Sequence, residues 1–185
     1  MTTYISILRG INVSGQKKIL MTALKKIYEE LHFSNIQTYI QSGNVVFKFL
    51  ESDPHDLALQ ISGQIQKQFG FYVPVIVLTV SELEEIIVRN PFLTDGTKKI
   101  EYQCVTFLDY KPEEIDLDTI NKGKQEGEEF AIDGKSVYLY CPYGFARTKL
   151  SNTFFEKKLK VNATTRNWKT TTELLRIATN QDNFA

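Results

Sequence analysis

Histidine and cysteine are scarce in this sequence: two of each in 185 residues. Two cysteines make no disulfide framework in a chain of this length, and a reducing cytoplasm is the expected compartment. Cys104 and Cys141 form no C-x-x-C pair and fall in predicted strands, so they read as buried free thiols. Nothing clusters with the ligand spacing of zinc, so no metal is expected. His32 ends one predicted helix and His55 opens another; neither reads as a catalytic base. Walker, G-x-G-x-x-G and G-x-S-x-G motifs are all missing, which leaves no recognised phosphate loop or nucleophile elbow. No apolar run reaches the roughly 18 residues of a membrane-spanning helix. The opening MTTYISILRG has no basic segment before an apolar one, so no secretory signal is expected.

Net charge is missing too, but only in the sum: 22 basic residues face 22 acidic ones. By segment, residues 1–50 carry +4, 51–140 carry −9, 141–170 carry +6 and the last fifteen −1. Two basic stretches bracket an acidic middle, and where they meet they make a surface that attracts anions. Adjacent acids such as Glu84-Glu85, Glu113-Glu114 and Glu128-Glu129 point to different sides of an element. They read as solvated rather than as acid–base pairs.

Hydrophobic residues at 42% suit a globular chain of one large or two small domains. Residues 3–9 read as a strand, and Leu20, Leu24, Ile27 and Leu31 mark an amphipathic helix. Residues 35–41 and 44–49 read as a hairpin around Ser42-Gly43. Asp53-Pro54 opens a helix that ends at Gly70, and 73–78 is an apolar strand. The order β-α-β-β-α-β predicts an α+β fold with a ferredoxin-like plait over 1–79. A second, smaller α+β unit over 80–185 is expected to pack against it. There a helix opens at Ser81, 102–108 is a strand, and Asp133-Gly134 turns a hairpin. A helix starts near Thr153, and a last helix near Thr164 or Thr165 turns Trp168, Thr171, Leu175 and Ala178 inward. No 20–50-residue repeat is visible. Apolar residues on both faces of the first sheet predict that its second face is covered, by the second half or by another chain.

Three segments carry binding chemistry. In 9–18, RGINVSGQKK, a pliable strand-to-helix loop presents Arg9, Asn12, Lys17 and Lys18 and its own N–H groups to an anion. In 141–152, CPYGFARTKLSN, two aromatics precede Arg147, Lys149 and Asn152 on a loop. In 162–170, NATTRNWKT, threonine capping explains Thr164 and Thr165. Arg166 and Lys169 in a first helical turn oppose the macrodipole by roughly 0.3–1 kcal/mol each, and a bound anion reverses that sign.

The stretches LRGINV at 8–13, TYIQSGNVVF at 38–47, PYGFARTKLSN at 142–152 and ATTRNWKT at 163–170 resemble the bacterial family catalogued as domain of unknown function 1697. The resemblance implies a ferredoxin-like N-terminal plait followed by a second α+β unit. It implies no established activity, substrate or cofactor, and it carries over Arg9, Asn12, Ser42, Asn44, Arg147 and Arg166 as candidate positions.

The leading functional expectation is a binding protein for an anionic small ligand or nucleotide. Arg9, Lys17, Arg147 and Arg166 supply charge, with Lys18, Lys149, Ser42 and Thr164 beside them. Asn12, Asn44, Asn152 and Asn167 orient the ligand, and Tyr143 stacks on a base. The alternative is a nucleic-acid module led by phosphate contacts, since the same topology underlies the RRM. RRM-type stacking is disfavoured because Asn44 and Val46, not rings, occupy the stacking positions of the third strand. A small metal-independent transferase or hydrolase is the third reading, although Ser42 and Thr164 have no assured base. No cofactor and no membrane partner is read from the sequence.

Overall fold

The computed structural model describes residues 1–182. Its fold is α+β, with two four-stranded antiparallel sheets. Internal packing divides the chain into two units. Among the described residues, one comprises Met1–Glu85 with Glu173–Asp182; the other comprises Ile86–Thr172.

The first unit runs β1 (Thr2–Leu8), α1 (Met21–Glu30), β2 (Ser34–Tyr39), β3 (Asn44–Phe49), α2 (Pro54–Phe69) and β4 (Val75–Thr79). Its sheet order, β2-β3-β1-β4, is that of the ferredoxin-like plait. Local chemistry sets the ends of α2. The Asp53 side chain accepts from the His55 N–H at 2.7 Å, Pro54 fixes the first turn, and Gly70 at φ 77° closes the helix. Alternate residues of each strand then face the helices. Tyr4, Leu8, Val45, Phe47, Val75 and Val77 form one buried cluster with Leu24, Ile27, Leu57 and Ile61. Phe47 stacks on Phe33 at 4.5 Å, and removing such a buried ring costs about 3–5 kcal/mol. The opposite strand positions Ile5, Ile7, Val46, Ile76 and Leu78 are buried as well.

β4 passes into α3 (Val80–Val88) without a linker. Thr79 Oγ1 accepts from the Glu82 N–H, and a Glu82 carboxylate oxygen accepts from the Thr79 N–H at 2.9 Å, a reciprocal capping box. The division therefore falls inside a continuous helix rather than at the expected 79/80.

The second unit runs β5 (Gln103–Leu108), α4 (Leu117–Gly123), β6 (Glu129–Asp133), β7 (Ser136–Tyr140), α5 (Asn152–Leu159) and β8 (Ala163–Asn167). Its order, β6-β7-β5-β8, repeats that of the first unit. The unit expected only as α+β is thus a second βαββαβ plait. The registers around the first strand match residue by residue, β1–β3 with β5–β7 and β1–β4 with β5–β8. The Leu8 N–H donates to the Gly43 carbonyl and the Arg9 N–H to Pro74; the Leu108 N–H donates to Lys135 and the Asp109 N–H to Asn162. The copies stand about 100 residues apart with different side chains, so no short-period repeat is visible.

The last helix departs from expectation. Residues 163–167 form β8, and α6 (Trp168–Asp182) begins at Trp168, capped by Asn167 Oδ1 accepting from the Thr170 N–H at 2.8 Å. Cross-strand hydrogen bonding to β5 outweighs the capping tendency of Thr164 and Thr165. Trp168, Thr171, Leu174, Ile177 and Ala178 are buried, while Leu175 is half-buried. The preceding helix is capped by Ser151, whose Oγ accepts from the Phe154 N–H, rather than by Thr153.

Candidate functional site

In the first unit, the β1–α1 loop and the tip of the β2–β3 hairpin meet at one end of the sheet. Asn12 joins them: its Nδ2 donates to the Ile19 and Gln41 carbonyls at 2.9 Å each, and its Oδ1 accepts from the Ile19 N–H at 2.9 Å. Asn44 is fully buried and closes the tip, its Nδ2 donating to the Tyr39 carbonyl and to Ser42 Oγ. Gly43 is required there by two constraints. Its φ is +80°, and an added Cβ would stand 2.7 Å from Ile11 and 2.8 Å from Leu8. Lys17 reaches across to the Tyr72 carbonyl at 2.8 Å. The loop tip is a small turn, with the Gln16 N–H donating to Val13, and Ser14 and Gly15 both at positive φ. Ser14, Gly15, Gln16 and Lys18 are exposed on it. Arg9, Asn12, Ser42 and Asn44 are therefore neighbours, as the antiparallel β1–β3 pairing required. Asn12, Asn44 and Lys17 spend their polar atoms on this framework.

In the second unit, the β7–α5 loop is folded on itself. The Gly144 N–H donates to Cys141, Arg147 to Gly144, Thr148 to Phe145, and the Leu150 N–H to Thr148 Oγ1. From below, Gln125 Nε2 donates to the Arg147 carbonyl at 2.6 Å. Glu128 is only 2% exposed and accepts from the Gln125 N–H at 2.9 Å. Glu128 is thus not the solvated acid its neighbours suggest, and Glu129 pairs with Lys98. Tyr143, 56% exposed, Ala146, Arg147 and Lys149 are the exposed residues of this fixed loop. Among the described residues, neither of these two cations forms an ion pair.

The remaining candidates of this unit bond within the fold: Thr164 and Arg166 are buried, Asn152 is half-buried and Asn167 is exposed. Asn152 Oδ1 accepts from Thr165 Oγ1 at 2.6 Å, and that hydroxyl also bonds Thr106 Oγ1 at 2.7 Å. Arg166 is not in a helical turn. It lies on β8, 8% exposed, opposite Val105, with Nη1 donating to Thr164 Oγ1 and the Thr165 carbonyl. The macrodipole argument for an anion at Arg166 therefore lapses. Asn167 caps α6. Gln125 and Glu128 were not legible as loop supports, because that role depends on which loop lies above them.

Cys104 and Cys141 are free and buried, and burial raises both thiols, to about 11 and about 12. Burial therefore favours the protonated thiol at both positions at neutral pH. On the central strands β1, β3, β5 and β7 the side chains turned away from the helices are buried, Tyr138 and Tyr140 included, so these strands present no exposed ring platform of the RRM kind.

Two antiparallel βαββαβ plaits in tandem define the class. The chain belongs to the family described as protein of unknown function (DUF1697), whose model matches residues 1–138. The motifs at 142–152 and 163–170 lie beyond that match. Among solved structures it is similar to the conserved bacterial protein SP0830 from Streptococcus pneumoniae, at 22% identity and a TM-score of 0.61. That likeness covers 96% of this chain and 98% of the other, and it concerns the fold. No curated protein matches the chain. No helix among the described residues is long and apolar enough to cross a membrane.

Proposed function

We propose that this protein binds an anionic, phosphate-bearing small ligand, such as a nucleotide, on the β7–α5 loop. One observation carries the reading: Arg147 and Lys149 stand exposed, without an acidic partner among the described residues, on a loop whose backbone is fixed. A loop already ordered loses little entropy on binding, and two cations beside an exposed Tyr143 ring suit a phosphate joined to a planar base. Lys18 and the turn N–H groups of the β1–α1 loop make a second, weaker anion surface in the first unit. The two free thiols suit a reducing compartment, and we place the protein in the cytoplasm.

The test is thermal unfolding of the full chain with adenosine and guanosine triphosphates and with inorganic phosphate. A ligand at 100 times its Kd adds about 2.7 kcal/mol, which raises Tm by roughly 5–11 °C in a chain this size. The double variant Arg147→Glu, Lys149→Glu should keep the unliganded Tm and lose that rise. A rise that survives in the double variant, or none with any phosphate compound, rejects the reading.

A further inference from the structure

At the opposite end of the second sheet from that loop, the β5–α4 connection and the α5–β8 turn border a groove of about 480 Å³. Its place is equivalent to the β1–α1 loop end of the first plait. There Lys17 spans the gap by bonding the Tyr72 carbonyl; in the second plait the gap is open. Lys111, Lys158 and Lys160 line it together with Glu113 and Glu114. Leu159 and Val161 supply apolar wall, and the half-exposed Tyr110 ring stands at its edge. Among the described residues, none of the five charged groups forms an ion pair, although both signs face one cavity. They do not neutralise one another. Exposed charges of both signs normally sit scattered over a surface, whereas here they converge on a volume that fits a small molecule.

We propose that this groove is a binding site for a small zwitterion of the amino-acid or short-peptide class. The ligand's carboxylate is taken by the lysine ammoniums and its ammonium by Glu113 and Glu114, with an apolar side chain against Leu159 and Val161. This site is separate from the β7–α5 loop and stands or falls without it.

The experiment is an amide-resolved NMR titration of the full isotope-labelled chain with the dipeptide leucyl-leucine. N-acetyl-leucine methylamide, which carries neither charge, is the blocked control; acetate and butylamine carry one charge each. The dipeptide should shift the amides of Tyr110, Lys111, Glu113 and Glu114 and of residues 158–161, the blocked compound should shift none of them, and each single-charge compound should bind at least about tenfold more weakly. Glu114→Lys and Lys158→Glu should each weaken the dipeptide by about tenfold or more with the spectrum otherwise native. If either reversal disturbs the fold, Glu114→Gln and Lys158→Gln serve in its place. No shifts with the dipeptide, equal shifts with the blocked compound, acetate binding as well as the dipeptide, or unchanged binding in the variants would each overturn the proposal.

Discussion

Ser6 and Thr106 occupy the same place in the two plaits, the middle of the first strand on the helix side, and both are fully buried. In the first unit the hydroxyl of Ser6 meets the Tyr28 hydroxyl of α1 at 2.6 Å. In the second, Thr106 meets Thr165, which meets Asn152 of α5. The same path through space thus tolerates different side chains, provided each buried polar atom finds a partner. Burial also pushes the Tyr28 phenol far above its usual range, so it stays a neutral partner of Ser6. Elsewhere the copies diverge in kind. Opposite Ile5 stands Leu78, but opposite the matching Val105 stands Arg166. Gly43 stands just before β3, whereas Lys135 holds its place before β7.

Those differences set the expected effects. Arg166→Glu should be the most damaging change, about 3–5 kcal/mol in urea unfolding, because it buries a carboxylate beside the Thr165 carbonyl. A loss below 1 kcal/mol would mean that Arg166 is as replaceable as a surface cation. Gly43→Ala should cost about 2–4 kcal/mol through positive φ and collision with Leu8 and Ile11. Gly134→Ala, at φ +55° in open space, should cost only about 1 kcal/mol. Equal losses at the two hairpins would refute the packing argument for the first.

Alkaline pH should weaken the unit that carries the thiols. Burial raises Cys104 from 9.0 to about 11, so its neutral form is the stabilised one. That contribution is complete below pH 9 and fades as pH climbs toward 11, a loss of about 2 kcal/mol. Urea midpoints at pH 8 and 10.5 measure it, and a Cys104→Ala chain should fall less across that interval. Thr79→Ala and Asn167→Ala remove the caps at equivalent strand-to-helix junctions, each for about 1 kcal/mol. Unequal losses would show that one junction bears more of the fold.

The first plait was legible because its signals are local. Asp53-Pro54 and Gly70 bound one helix, and Ser42-Gly43 separates two alternating strands. The second plait was read in pieces but not as a copy, because its strands are short and its helices brief. The ATTRNWKT stretch misled for a definite reason. Threonine at 164 and 165 serves an N-cap or a strand equally well, and only β5 beside it decides. Of the candidate residues, Asn12, Asn44 and Lys17 stand where the loop reading put them, yet their polar atoms hold the loop itself together.

Taken alone, the sequence determined what depends on neighbours along the chain: the plait order of residues 1–79, the capped ends of α2, and the basic, aromatic make-up of the β7–α5 loop. Tertiary structure alone decided the duplication of the plait, the burial of Arg166 and Glu128, and the separation of spent polar groups from outward-facing ones. Those properties are set by partners far apart in sequence, and hydrogen bonding and desolvation act on whichever atoms the fold brings within reach.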